Sequence, residues 1–443
     1  MKIISFFTIC FLRINSAPAY VSTTVKNINR LLPNFGVTPY NDPLPPPITA
    51  APSKKISLSW CAGIGLSDEE ECRIDSLREV VKNEKEIVFQ SPATGQVIFE
   101  HNCNDPLICP RSVLLLLREG DQSLIDFVLE RRTPSDGTPN YKNVNFIETL
   151  ANSNVNVYLE EKVFNVVMKE MSAPLSSMIH KYIPCVPVFE PPPDLVVTLG
   201  GDGLLMHANS LFPHAVPPVL SVAGGSLGFL TPFARQNFLE DVFFSLGIRM
   251  PDVSSDALFI SPRVPISLRM RLSAHIVKAD GSLSPTFTSL NEVTISRGSS
   301  AALTNIETYI DNIFLTNVQA DGIILATPTG STAYSMAAGG SVVHPAVPCI
   351  LLTPICPHVL SFRSMIFPDH SILRCHVPED SRAGGVVCFD GKNSIDLERG
   401  DSIIIKSSKY PFPSVNRRDH SYDWLTSLKS SFGFNERVIQ KNI

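Results

Sequence analysis

Leu195-Val196-Val197-Thr198-Leu199-Gly200-Gly201-Asp202-Gly203-Leu204-Leu205-Met206-His207-Ala208-Asn209 is an apolar run that meets three glycines and one carboxylate, then turns to helical spacing. The pattern predicts a strand, a tight turn and a helix, with the turn at the strand's carboxyl end, where open α/β sheets bind ligands. Residues without side chains let backbone N–H groups approach an anion, and a helix N-terminus adds partial positive charge at the same point. The carboxylate is the odd member, because it repels phosphate. It suits a magnesium partner or an acceptor for a hydroxyl proton. A Gly-rich turn whose Asp caps a helix explains the same letters, so the flanking sequence has to decide.

Upstream, Ser112-Val113-Leu114-Leu115-Leu116-Leu117 has the continuous apolarity of a strand buried on both faces. A helical pattern over Gln122–Arg132, a polar loop over Thr133–Asn143, a helix near Asn145–Ala151 and a strand at Val155–Leu159 follow. Strands alternating with helices predict a parallel sheet. From Ser67 the acidic run Asp68–Glu71, with Arg78, Lys82 and Lys85 later, reads as one further helix, while Met171–Val188 has no regular period. Downstream, Pro218–Val222 reads as a strand that meets a second glycine-rich turn, Gly224-Gly225-Ser226-Leu227-Gly228-Phe229.

Beyond Pro251 the texture changes to short β-type runs: Val264–Leu268, His275–Lys278, Asn291–Ser296, Thr308–Ile310, Ile323–Leu325, Ile350–Thr353 and Ile403–Lys406. The fold class expected is therefore α/β plus β: a parallel-sheet α/β domain over residues 110–250, a β-rich domain over 251–412, and a helical tail, 413–443, that returns to the first domain. Residues 51–109 read as an N-terminal extension. Residues 1–50 read as a disordered or targeting segment that the proline run at 43–47 separates from the fold.

With 443 residues, 44% of them hydrophobic, the chain can bury two or three cores. A net charge of −5 leaves no footprint for nucleic acid, and no basic run compensates. None of the ten cysteines falls in a CxxC pair or zinc spacing, which reads as reduced thiols. The apolar run Ile3–Leu12, with Lys2, Arg13, Lys26 and Arg30 and no acid before Asp42, fits a signal peptide, a mitochondrial presequence or a misassigned start. A cytoplasmic protein is expected, with a mitochondrial one as the alternative. No stretch of eighteen apolar residues predicts a membrane span.

GxxxxGK[ST] and HExxH are both absent. Gly224–Gly228 spells GxSxG, which would make Ser226 a nucleophile, but Pro232 argues against a helix directly behind it. The histidines share no spacing. Asn291-Glu292 sets an amide beside a carboxylate, a pair suited to a ribose diol or a purine edge. From Ala320 to Gly340 a strand enters Thr327-Pro328-Thr329-Gly330-Ser331-Thr332-Ala333-Tyr334, a loop dense in hydroxyls with one aromatic face; a Ser/Thr turn capping a helix near Ser331 is the plainer reading.

Taken in order, Gly200–Gly203, Gly225–Phe233, Leu290–Val293, Asp321–Gly340, Thr353–His358 and Phe389-Asp390-Gly391 resemble the NAD kinases, the eukaryotic type in particular. The resemblance runs from about Ser112 to Val438. It implies that the first domain is Rossmann-like, with ATP as phosphoryl donor and Mg2+, NAD as the substrate, and a homodimer or homotetramer that shares sites across its interface, with no nucleic-acid or membrane partner. Position by position it implies Asp202 as the acceptor of the proton from the adenosine ribose 2′-hydroxyl, and Gly200, Gly201 and Gly203 along the phosphates. Asn291, Glu292, Thr329, Thr332, Ala333 and Tyr334 would hold NAD, Phe229 would lie near the nicotinamide, and Asp321 would bind a ribose, that of a neighbouring subunit included. No residue is assigned to the metal. Two departures stand out: Leu204, where the family has a hydroxyl, and Ala320, where it favours glycine. A lipid or sugar kinase sharing the Gly-Gly-Asp-Gly element, and a weakly active nucleotide sensor, are the alternatives.

Overall fold

The computed structural model describes residues 78–82, 86–90, 97–101, 111–130, 145–170, 176–182, 192–225, 228–248, 263–359 and 361–433. The targeting segment, the loop at Thr133–Asn143 and Ser226 of the GxSxG pattern lie outside them.

The first half builds β1 (Arg78–Lys82), β2 (Glu86–Gln90), β3 (Val97–His101), β4 (Arg111–Leu117), α1 (Gln122–Leu129), α2 (Phe146–Asn152), β5 (Val155–Glu160) and α3 (Glu161–Glu170). Next come β6 (Ile179–Tyr182), β7 (Leu195–Gly200), α4 (Asp202–Leu211), β8 (Val219–Ala223), β9 (Phe233–Ala234), α5 (Phe238–Leu246) and β10 (Arg263–Arg269). The second half adds β11 (Leu272–Val277), β12 (Phe287–Ser289), β13 (Glu292–Ser296), β14 (Ile306–Ile310), β15 (Ile313–Val318), β16 (Gly322–Ala326), α6 (Tyr334–Ala337) and β17 (Cys349–Ile355). Its remaining elements are β18 (Met365–Pro368), β19 (Leu373–His376), β20 (Gly385–Phe389), β21 (Lys392–Leu397), β22 (Ser402–Ser407), β23 (Phe412–Val415) and α7 (His420–Phe432).

Strands β8-β7-β4-β5-β6 are parallel neighbours. The chain starts at β4, winds outward through β5 and β6, then crosses to β7 and β8 on the other side, so the winding reverses between β4 and β7. That reversal opens a crevice at the carboxyl ends of the two strands, where Gly200–Gly203 falls. The apolar run of β4 divides by alternation: Val113, Leu115 and Leu117 pack with α1, α2, α3 and α5, and Leu114 and Leu116 pack with Leu205 and Ala208 of α4. Burial on both faces is the reason the run is continuous rather than alternating. Asn145 caps α2, accepting the N–H of Glu148 at 2.8 Å while the Glu148 carboxylate reaches back to the Asn145 N–H at 3.2 Å.

Two strands tie the halves together. The run read at Val264–Leu268 is β10, and it pairs with β3 and β23 in the first sheet rather than within the β-rich region. Strand β23 in turn lies between β10 and β8. Arg78–Lys82, expected at the end of a helix, is a strand antiparallel to β2, because pairing with an existing sheet edge overrides a local charge pattern. Within Met171–Val188, β6 adds to the parallel edge. The β-rich half is two six-stranded sheets packed face to face over Leu272, Ile276, Val293, Ile295, Ile323, Ile350, Ile403 and Ile405. The tail forms α7, whose Phe432 ring lies 5.5 Å from that of Phe229.

Candidate active site

Gly201 precedes α4 in an extended conformation and no side chain caps the helix. The N–H groups of Asp202 and Gly203 donate to nothing among the described residues, while that of Leu204 bonds the Gly201 carbonyl at 2.9 Å. A Cβ at Gly201 or Gly203 would meet nothing within 4 Å, and both residues are exposed, so the turn offers bare backbone to an incoming group. Leu204 points the other way, into the apolar layer with Leu205 and Met206. The position where the family has a hydroxyl thus serves the core in this chain.

Asp202, first residue of α4, turns its carboxylate onto the second glycine-rich turn. Oδ2 accepts the Phe229 N–H and Oδ1 the Leu230 N–H, each at 3.0 Å. The contact is close enough to require glycine at 228, where a Cβ would stand 2.5 Å from Oδ1. The turn itself is tied by Gly228 N–H to Thr231 Oγ1 at 2.8 Å and by Ser221 Oγ to the Leu230 carbonyl at 2.8 Å. A carboxylate at a helix N-terminus is expected to hold its proton weakly. Here burial dominates and raises the Asp202 pKa, against the pull of the Leu230 and Phe229 N–H groups, the Arg269 charge and the Thr231 hydroxyl.

From the β side, Asn291 and Glu292 stand where β13 begins, and the hydroxyl-rich loop locks onto them. Thr327 Oγ1 donates to the Leu290 carbonyl at 2.6 Å, and Thr327 N–H to the Asn291 carbonyl at 2.8 Å. Gly330 packs against that same carbonyl, where a Cβ would come within 2.2 Å. Asn291 Oδ1 and Glu292 Oε2 are buried and have no hydrogen-bond partner among the described residues. Glu292 is 7% exposed. Its pKa is pushed up to about 7, by burial first and the Asp390 carboxylate second, with the Tyr334 N–H opposing. Two unspent acceptors side by side fit a diol or an amine edge. Thr329 is buried, Thr332 and Ala333 are half-buried, and the Tyr334 ring is 45% exposed.

Arg269, the last residue of β10, joins the two sides. Nη1 donates to Thr329 Oγ1 at 3.3 Å, and its charge acts on Asp202 and on Asp423 of α7. Burial lowers its pKa to about 10, and its Nε has no partner among the described residues. No motif marks it; the clue in the sequence is Arg269-Met270-Arg271, two arginines that end an apolar run. Phe229 is half-buried, with its N–H on Asp202 and its ring against Phe432.

The fold therefore brings together Gly200, Gly201, Asp202, Gly203, Phe229, Asn291, Glu292, Thr329, Thr332, Ala333 and Tyr334. Asp321 stands apart. It precedes β16 while the Thr327–Tyr334 loop follows it, roughly 20 Å away at the rise of a strand. Half-exposed, it pairs with Arg297, Nε to Oδ1 2.8 Å. His207 bonds Glu160 at 2.7 Å, and His344 lies against Trp424 and His420.

Two family models match the chain, the ATP-NAD kinase N-terminal domain over residues 145–242 and the ATP-NAD kinase C-terminal domain over residues 290–417. A crystal structure of yeast NADH kinase complexed with NADH superposes with a TM-score of 0.63 at 30% identity, over 83% of this chain and 96% of the yeast chain. The chain belongs to the NAD kinase family. Among curated relatives, NAD kinase 2, chloroplastic, of Arabidopsis thaliana is 47% identical over 249 residues, and the NAD(+) kinase of Saccharomyces cerevisiae is 42% identical over 263. Each alignment covers 56% of this chain; it spans 24% of the Arabidopsis protein and 47% of the yeast protein. The match to both NAD kinase domains sets the lipid-kinase and sugar-kinase readings aside. Among the described residues no helix is long and apolar enough to cross a membrane.

Proposed function

We propose that this chain transfers the γ-phosphoryl group of ATP to the adenosine ribose 2′-hydroxyl of NAD, giving NADP. The observation that carries the reading is the Asp202 carboxylate, held by two N–H groups between the bare glycines of its own turn and the loop that Arg269 reaches through Thr329. An alcohol attacking phosphorus through a loose transition state needs positioning, charge neutralisation and a proton acceptor more than covalent help. Asp202 orients the hydroxyl and accepts its proton as the O–P bond forms and the bond from the γ-phosphorus to the ADP oxygen breaks. Burial favours this, since it makes the carboxylate a stronger base than an exposed aspartate.

Gly200, Gly201 and Gly203 line the phosphates. Asn291 and Glu292 take the NAD adenosine through their unspent acceptors, and Thr329, Thr332, Ala333 and Tyr334 complete its pocket. Phe229 lies on the nicotinamide side. Asp321, at the far end of β16, serves the ribose in a neighbouring subunit's site, which makes the working form a homodimer or homotetramer. Three His, Cys, Asp or Glu side chains do not cluster among the described residues, and both Asp202 oxygens already accept N–H groups. A magnesium ion would be held there chiefly by nucleotide phosphate oxygens and water, with Asp202 the one carboxylate of the Gly200–Gly203 turn that could join them. When bound, the ion supplies charge neutralisation to the phosphates.

The test is NADP formation by the purified chain with ATP, magnesium and NAD. Turnover that depends on Asp202 supports the reading. Tight binding of both nucleotides with no turnover would replace it with the nucleotide-sensor reading.

A further inference from the structure

Asp390, in the matched Phe389-Asp390-Gly391 stretch, has no role in the chemistry above. It occupies the turn between β20 and β21 with φ 48°, a left-handed conformation that aspartate tolerates better than most residues. Oδ2 accepts the Leu290 N–H at 2.8 Å, and Oδ1 accepts the N–H groups of Asn291 at 2.7 Å and Glu292 at 3.1 Å. Its own N–H donates to the Glu292 carbonyl at 3.0 Å. Three consecutive amides converge on one carboxylate, and they are the amides of the segment that presents Asn291 and Glu292.

The same carboxylate faces the helix of Asp202. Asn209, in the last turn of α4, places Nδ2 3.5 Å from Asp390 Oδ2 and 3.4 Å from the Thr288 carbonyl. Its Oδ1 accepts from Arg271 Nη1 at 3.1 Å. Arg271 is fully buried and spends its other donors on the carbonyls of Phe212 at 2.7 Å, His214 at 2.5 Å and Tyr410 at 2.6 Å. The chain of contacts runs from the end of the catalytic helix to the loop of the second domain with polar groups throughout.

We propose that Asp390 is a positioning residue, which clamps the Leu290–Asn291–Glu292 backbone and, through Asn209 and Arg271, sets the NAD-holding pair in register with the helix that carries Asp202. The inference rests on the function proposed above. It also explains why a second carboxylate is kept beside Glu292, a costly arrangement in apolar surroundings unless backbone donors compensate it. The charged groups on this pair are few: Glu292 faces Asp390, and Asp390 faces Lys392 and Arg271.

The test is Asp390→Asn in the full chain. Its amide oxygen replaces one acceptor and its NH2 opposes the remaining N–H groups. The KM for NAD should rise on the order of 10- to 100-fold, the range for losing bonds to a charged acceptor, while the KM for ATP stays within about 3-fold. The pH dependence of kcat/KM for NAD should also move to lower pH by on the order of one pH unit, because Glu292 loses its negative neighbour. A role in stability alone would lower both substrates' parameters and leave that pH midpoint in place, which would overturn the proposal. Hydrogen exchange on the unaltered chain tests it where the variant fails to fold. The Leu290, Asn291 and Glu292 amides should be protected, and exchange at the rate of free amides refutes the clamp. A chain that makes no NADP yet protects these amides defeats the proposed function and leaves the clamp standing.

Discussion

Asp202, on the α/β side, accepts an N–H on each oxygen and lies beside Arg269, whereas Glu292, on the β side, takes the Tyr334 N–H and leaves Oε2 buried and bare. The first carboxylate is fixed before any ligand arrives. The second retains an unmet hydrogen-bonding demand that a ligand can satisfy. Their pKa values rise for the same leading reason, burial, but Asp202 is offset by the Leu230 and Phe229 N–H groups and then by a neighbouring cation, while Glu292 is pushed further by Asp390. The contrast assigns the first to rate and the second to affinity, and substitutions can break that division.

The largest effect should come from Asp202→Asn, which keeps the shape, folds normally by circular dichroism, and loses on the order of 10²–10⁴ in kcat. Near-normal NADP formation by this variant would remove Asp202 from the chemistry. Gly228→Ala comes next. Its Cβ would press on Asp202 Oδ1 from 2.5 Å, and displacing the carboxylate should cost on the order of 10- to 100-fold in kcat with little change in either KM.

Glu292→Gln should act on affinity, raising the KM for NAD roughly 10-fold while kcat at saturation holds within a few-fold, since one bond to a charged group is lost. A pH effect accompanies it. Glu292, raised from 4.5 to about 7, keeps its proton in the folded apo-protein where the unfolded chain has lost it. The folded state then binds more protons across that window, so stability is greatest below it and falls as pH rises through it. Asp241, raised to about 7, and Asp423, raised to about 6, act in the same direction. Between about pH 5.5 and about pH 7.5 the thermal midpoint of the apo-protein should fall more, or rise less, than that of Glu292→Gln. His275, His344 and His420, whose pKa values burial lowers, act in the opposite direction, so the difference between the two proteins is the readout: a pH dependence left unchanged by Glu292→Gln would show Glu292 to be ionised in the folded state. The smallest effect on the fold should be that of Asp321→Ala, whose half-exposed pair with Arg297 contributes less than about 1 kcal/mol. Chemical denaturation measures it, and a larger loss would mean that Asp321 supports its own subunit.

Elements whose pattern is local were legible in the sequence. Leu195–Gly200 and Arg111–Leu117 are buried along nearly their whole length, and a run of that kind leaves few alternatives to a central strand. The Asn145 cap with Glu148 marks its helix in the same way. Strand β15 did not stand out, because Ile313 and Phe314 face solvent and break the expected alternation. Of the site, the glycines, Asp202, Asn291-Glu292 and the Thr327–Tyr334 loop were visible as clusters of chemistry. Arg269 was not, and Asp390 stood out only as part of the Phe389-Asp390-Gly391 match, without a role, since each acts on residues far away in the chain: Asp390 grips amides about 100 positions earlier. No window of sequence contains that relation.

The strand β23, lying between β10 and β8, has a consequence for synthesis. Its partner β8 ends at Ala223, and Phe412 emerges roughly 190 residues later, which at the pace of translation is on the order of 10–40 s. Until then the nascent first domain has a bare flank along Val219, an edge on which another chain can pair. A chain truncated before Phe412 keeps that edge for good, and aggregation on expression is its expected fate.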